Sequence, residues 1–166
     1  EQLKIREDMT AADFGCGSGG WVIPLAKKLE EGKIFAIDIL EEPLSALRAK
    51  AKLVKITNVE TIRADIEKGA KLLDESCDLV LMTNLLFEVE DKRKVLEEGK
   101  RILKKGGRIL IVDWTPPTHH PKEASLGPKE GRVAPEEVKE TGLDLNLRIE
   151  KEFEASIYHF GLILLK

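Results

Sequence analysis

The sequence predicts an α/β fold, a mostly parallel sheet with helices on both faces. Three observations carry this. Short apolar runs alternate with amphipathic helical stretches along most of the chain, the pattern of strand–helix–strand crossovers. The first run opens onto a glycine-rich turn, Asp13-Phe14-Gly15-Cys16-Gly17-Ser18-Gly19-Gly20, and helical spacing follows at Trp21, Val22, Leu25, Ala26 and Leu29. Acidic residues recur where apolar runs stop, at Asp13, Asp38 and Asp65.

Taken in order, Met9–Ala12 reads as the first strand, with a helix over about Gly19–Glu30 in which Pro24 sits early, where it costs least. Ile34–Ile37 is a second strand. Pro43 opens a second helix with Leu44, Leu47, Ala51 and Val54 on one face. Val59–Ile62 is a third strand, and a weak helix is expected over Ile66–Leu73. Leu79–Met82 is a fourth strand. Val89, Val95, Leu96, Ile102 and Leu103 form a helical stripe that stops at Gly106-Gly107, and Ile109–Val112 is a fifth strand. Pro135 starts a short last helix. Leu143–Phe153 and Ala155–Leu165 then read as a hairpin, which makes one of the two antiparallel to the rest of the sheet.

Composition narrows the function. The chain has 166 residues, enough for one domain over 1–166 with a real core, and 42% of them are apolar. A formal charge of −3 gives no general attraction to nucleic acid. The lysines at 50–55 and Lys104-Lys105 read as solvated helix surface. Cys16 and Cys77 form no disulfide framework and have no metal-ligand company, so no metal site is expected. No leader and no membrane-spanning run is read, and a cytoplasmic setting is expected. The chain begins at Glu1, without Met, which leaves room for an N-terminal element before it.

The glycine turn holds the chemistry. Glycine there lets the backbone turn sharply and lets a ligand approach it. Gly15, Gly17 and Gly20 satisfy a dinucleotide fingerprint, while Gly15, Gly17 and Gly19 satisfy the shorter G-x-G-x-G. Asp13 discriminates. A carboxylate beside the turn repels a pyrophosphate but suits a cationic ligand, such as S-adenosylmethionine with its ammonium and sulfonium. Asp38, at the end of the second strand, is placed to accept both hydroxyls of a ribose.

These segments, DFGCGSGG (13–20), AIDI (36–39), RADI (63–66), CDLVLMTNLLFEVED (77–91) and GKRILKKGGRILIVDW (99–114), together resemble the class I S-adenosylmethionine-dependent methyltransferases of the small single-domain type. The resemblance implies a Rossmann-like three-layer sandwich with a seven-stranded sheet in the order 3-2-1-4-5-7-6, strand 7 antiparallel. It implies that Asp13, Gly15, Cys16, Gly17 and Gly19 bind the cofactor, and that Ile39 packs on adenine. Asp65 and the Ile66 amide would meet the adenine edge, and Asn84 would lie near the methyl group.

The expected activity is methyl transfer to a small-molecule acceptor. Alternatives are an RNA or protein acceptor, a nicotinamide-dependent oxidoreductase, or a module that binds the cofactor without catalysis. The Asn/Asp-Pro-Pro-aromatic tetrapeptide of amino-methylating nucleic-acid enzymes is missing at Thr83-Asn84-Leu85-Leu86, which makes nucleic acid a poor candidate. If a base is needed, the candidates are His119, His120, Tyr158 and His159, and strand alternation turns only one of the last two inward. The loop 115–134, with Pro116, Pro117, Pro121 and Pro128, leaves the fifth strand on the ligand side and is expected to cover the acceptor.

Overall fold

A computed structural model describes residues 3–116, 127–128 and 130–166. Seven strands form one sheet: β1 (Thr10–Phe14), β2 (Lys33–Asp38), β3 (Val59–Arg63), β4 (Cys77–Thr83), β5 (Leu103–Trp114), β6 (Arg148–Ser156) and β7 (His159–Leu165). Their order is β3-β2-β1-β4-β5-β7-β6. β1 to β5 are parallel, and β7 runs antiparallel to both its neighbours. Both the order and the inverted strand agree with the expectation.

The helices α1 (Val22–Ala26), α2 (Glu41–Leu53), α3 (Lys92–Ile102) and α4 (Pro135–Asp144) divide between the faces. Alternation along each strand feeds two cores. Phe14, Ile37, Met82 and Ile109 pack with Val95, Leu96 and Val138 from α3 and α4. Ala11, Ile34, Leu79 and Leu81 pack with Leu25, Leu44 and Leu47 from α1 and α2. α2 and α4 carry acidic residues in their first turns, and α2 ends in Lys50 and Lys52, complementing the helix dipole. Asp91 caps α3, accepting the Lys94 N–H at 3.1 Å.

Several expected boundaries shift. β1 begins at Thr10 and runs on to Phe14, so Asp13 lies within the strand's last residues. The first helix is only Val22–Ala26 and then tightens, with the Lys28 N–H bonding Leu25 O at 2.8 Å. The Asn58 amide donates to Ala26 O and Leu29 O at 2.9 and 2.6 Å, closing the carbonyl end. Residues 66–73 form turns rather than a helix. Gly69, with φ +121°, sits in a conformation a helix does not accept.

Pro43 lies inside the first turn of α2, which opens at Glu41. The stripe from Val89 to Leu103 is split: Val89 precedes α3, and Leu103 already belongs to β5. The pairing jumps from Cys77–Leu103 to Leu79–Arg108, so residues 104–107 bulge opposite Asp78 around the two glycines. Leu143 and Asp144 close α4, and β6 begins only at Arg148.

Candidate functional site: a cofactor cleft and an adjoining chamber

Strand order reverses between β1 and β4, and the ligand crevice of an open α/β sheet lies beyond the strand ends at that place. A cleft of about 390 Å³ is found there. Gly15, Gly17, Asp38, Ile39, Asp65, Ile66 and Asn84 line it together. Asp13, Cys16 and Gly19 are not in its wall.

The glycine turn is built for close approach at one point. Gly15 and Cys16 both donate their N–H to Ile37 O, at 2.8 and 3.0 Å, which ties the turn to β2. Gly17 has φ +50°, and a Cβ there would project into open space, so a side chain would occupy ligand volume. Gly19 differs: a Cβ would lie 2.3 Å from Leu47 Cδ1, so this glycine lets α2 pack against the turn. Cys16 is buried with Sγ on Gly17 O at 3.5 Å, and burial, then Asp13 and Asp38, push its thiol pKa up. It stays a neutral thiol.

The three carboxylates sit in different circumstances. Asp38 Oδ2 accepts the Gly17 N–H at 2.9 Å and Oδ1 accepts the Leu40 N–H at 3.0 Å. Each oxygen keeps a further lone pair. Asp65 takes the Glu67 N–H at 3.1 Å and pairs with Lys68 at 2.8 Å. The Lys68 ammonium in the main, with the Glu67 N–H, holds its pKa below the usual range. It shapes the turn after β3 as well as facing the cleft.

Asp13 is 1% exposed, and neither of its oxygens has a hydrogen-bond partner. Burial, and then the charge of Asp38, push its pKa up to about 8. A carboxyl buried without donors is costly, and a cation brought beside it would relieve that cost.

On the far side of Asn84 lies a second cavity of about 500 Å³, walled by Leu3, Ile5, Trp21, Leu110, Val112 and Phe153, with Glu154, Ala155, Ser156 and His159 at its β6–β7 side. Asn84 belongs to the walls of both cavities. It has φ +51°, and its N–H donates to Val112 O at 2.8 Å, so it is the turn residue that ends β4 as well as a partition. Of the pair Tyr158 and His159, His159 is the one in this wall. His119 and His120 lie outside the described residues, as does most of the covering loop expected over 115–134. In its described part, Arg132 donates to Pro128 O and Thr115 O at 2.8 and 3.2 Å and lies 5.5 Å from the Trp114 ring.

Sequence reasoning did not single out Asp113, Trp21 or Phe153. Asp113 is fully buried at the end of β5 and accepts N–H groups from Leu85, Leu86 and Trp114 at 3.2, 2.7 and 2.7 Å. It pins the segment after Asn84. Burial raises its pKa, and those donors oppose the shift. The Phe153 ring covers Gly161, whose Cβ would lie 2.3 Å from it, a pairing visible only once the β6–β7 register is known.

Lys104 pairs with Asp78 at 2.9 Å, at the start of β5 and so at the opposite end of the sheet from the cleft. Among the described residues no cluster of His, Cys, Asp and Glu is placed to hold a metal, and no helix is long and apolar enough to cross a membrane.

Comparison with known proteins agrees with this geometry. A methyltransferase-domain family model matches residues 5–153. The crystal structure of a SAM-dependent methyltransferase from Aquifex aeolicus superposes with a TM-score of 0.86 at 30% identity, over 98% of this chain and 84% of that one. That of a putative type 11 methyltransferase from Sulfolobus solfataricus gives 0.74 at 30% identity, over 95% and 83%. The demethylmenaquinone methyltransferase of Shouchella clausii is 29% identical over 119 residues, 71% of this chain and 50% of the relative. The chain spans about half the length of the curated relatives it matches. Sheet order, glycine turn, strand-end carboxylates and family match converge: the chain belongs to the methyltransferase-domain family, the class I S-adenosylmethionine-dependent methyltransferases.

Proposed function

We propose that this chain transfers a methyl group from S-adenosylmethionine to a small-molecule acceptor. The observation that carries the reading is the partition at Asn84, with a cleft of carboxylates and apolar residues suited to an adenosyl ligand on one side and a second, apolar chamber on the other. The residues present fit the cofactor. Gly17 leaves room for it, Asp38 keeps lone pairs for ribose hydroxyls, and Asp13 is an orphaned buried carboxyl beneath the glycine turn. Ile39 and Leu40, 55% and 59% exposed at the cleft, offer apolar surface for a base.

When bound, S-adenosylmethionine supplies a methyl carbon on a positively charged sulfur, already activated for displacement. The protein then has to align an acceptor and keep water away. Asp13 holds positive charge, Asp38 fixes the ribose, Asp65 and Ile66 frame the adenine edge, and Asn84 separates donor from acceptor. The apolar chamber supplies a dry approach. The demethylmenaquinone methyltransferases among the relatives support a small-molecule acceptor.

Calorimetric titration with S-adenosylmethionine, S-adenosylhomocysteine and both nicotinamide dinucleotides tests this. Binding of the first two and not of the dinucleotides is expected. Dinucleotide binding alone would turn the reading to an oxidoreductase.

A further inference from the structure

We propose that Asp113 is a positioning residue for methyl transfer: its buried carboxylate fixes the turn that carries Asn84, and so sets where the methyl donor stands relative to the chamber. This rests on the methyl-transfer reading above. It adds to that reading a residue in the wall of neither cavity.

The turn comes first. β4 ends at Thr83, which pairs with Val112 of β5. The chain then turns at Asn84, with φ +51° and its N–H on Val112 O at 2.8 Å. A residue with a Cβ adopts that conformation only when its surroundings hold it there. The next two N–H groups, of Leu85 and Leu86, turn back toward β5. Both meet one atom, Asp113 Oδ2, at 3.2 and 2.7 Å. Oδ1 accepts the Trp114 N–H at 2.7 Å, which ties the carboxylate to its own strand. The Phe87 N–H also favours the ionised carboxylate.

What the turn touches comes second. On the cleft side, a Cβ on Gly15 would come within 2.9 Å of Leu85 Cδ1, so the Leu85 side chain lies against the first glycine of the cofactor turn. Asn84 stands in the walls of both cavities. Behind it, a Cβ on Gly131 would come within 2.1 Å of Phe87 O, so the turn also backs onto the segment that leads into α4. Val112, the neighbour of Asp113, lines the chamber. Cleft and chamber are therefore joined through packed groups that meet at one carboxylate.

The third observation is what this costs. Asp113 is fully buried, and the donors that hold it are backbone N–H groups rather than a cation. Burying a carboxylate is an expensive way to close a turn. In return, its two oxygens present acceptors in one fixed fork, so the turn has one place rather than several. Methyl transfer needs that precision, because a misplacement of about 1 Å can cost about 100-fold in rate.

The test compares S-adenosylmethionine with S-adenosylhomocysteine, which lacks the methyl group, by calorimetric titration of the full chain. Asp113→Asn replaces one acceptor oxygen by an NH2 group among N–H donors. It should shift the turn and change the ratio of the two affinities by about threefold or more. Asp113→Glu keeps the charge but adds a methylene, so it should change the ratio too. That separates position from simple attraction between a carboxylate and the sulfonium. Ile102→Val, fully buried at the end of α3 away from the cleft, is the stability control. It should lower the melting temperature and leave the ratio unchanged. Two measurements on the unaltered protein decide the matter even if neither Asp113 variant folds. The Leu85 and Leu86 amide protons should be protected from hydrogen exchange without ligand, and the Asn84 amide resonances should differ between the two complexes. The proposal is overturned by an unchanged ratio in Asp113→Asn, by a normal ratio in Asp113→Glu, by unprotected Leu85 and Leu86 amides, or by Asn84 resonances that are alike in both complexes. A chain that binds neither ligand would instead bring down the methyltransferase reading itself.

Discussion

The two sides of Asn84 are built by opposite means. The cleft is made from backbone turns and from the strand-end carboxylates Asp38 and Asp65, with Ile39, Leu40 and Ile66 beside them. The chamber is made from long apolar side chains on strands β5 and β6, from Trp21 and from the N-terminal segment. In the cleft, what matters is where the backbone goes and where charge sits. In the chamber, what matters is which surfaces come to face one another. Substitutions should therefore act differently on the two sides.

The largest effect is expected at Gly17. Gly17→Val puts a branched side chain where the structure leaves open space, in a backbone conformation that disfavours it. Affinity for S-adenosylmethionine should fall by at least about 100-fold by calorimetry, equivalent to ~2.7 kcal/mol. Gly19→Ala is the contrast within the same turn. It collides with Leu47, so it should lower the melting temperature more than it lowers affinity. Normal binding by a folded Gly17→Val would break the distinction between approach and packing.

Next comes Asp38→Ala, which removes charge-assisted bonds worth about 1.5–3 kcal/mol each and also releases the Gly17 and Leu40 N–H groups. A tenfold to 100-fold loss of affinity is expected. A change under about threefold in a folded variant would remove Asp38 from the ribose contact.

Asp13 adds a dependence on pH. The unfolded chain loses this proton near pH 4, while the folded protein without ligand holds it to about 8. Between those values the folded state binds the extra proton, so its stability falls as pH rises, by at most about 1.4 kcal/mol per unit, and levels off above pH 8. Asp13→Asn should flatten this slope in denaturant titrations. Cofactor binding at pH 7 should release a proton, seen as a dependence of the binding heat on buffer, and the variant should lose it. A slope unchanged by Asp13→Asn would refute the orphaned carboxyl.

The smallest effect is expected at Lys68. Its side chain is 83% exposed, and its pair with Asp65 is a surface pair. Lys68→Ala should leave the melting temperature nearly unchanged and shift affinity by less than about twofold. A larger loss of affinity would mean that Asp65 needs its cation to present itself to adenine.

This contrast also explains what the sequence made legible. β1 to β5, the inverted last strands and the cleft residues could be read because turn chemistry and strand-end carboxylates are local signals, set by residues adjacent in the chain. Helix lengths were read less well: Asn58, far along the chain, closes α1, and Gly69 prevents a helix after Asp65. The chamber was almost unreadable. Phe153 acquires its place from Gly161 across a hairpin, and Val112 from its pairing with that same glycine. Asp113 looks like any strand-end acid until its three backbone donors come from a loop 27 and 28 residues earlier and from its own neighbour.

The position of β7 has a consequence for how the chain is made. β6 pairs only with β7, yet β7 follows it in sequence and lies between β6 and β5. During synthesis β6 therefore emerges before its partner, and until β7 arrives the open flank of β5 presents unpaired backbone beside Leu110 and Val112. The cleft side of the sheet is complete before this, the chamber side only when β7 slides in. A nascent chain paused between the two should already compete for S-adenosylmethionine while lacking any place for an acceptor, so that cofactor capture precedes substrate selection in the life of each molecule.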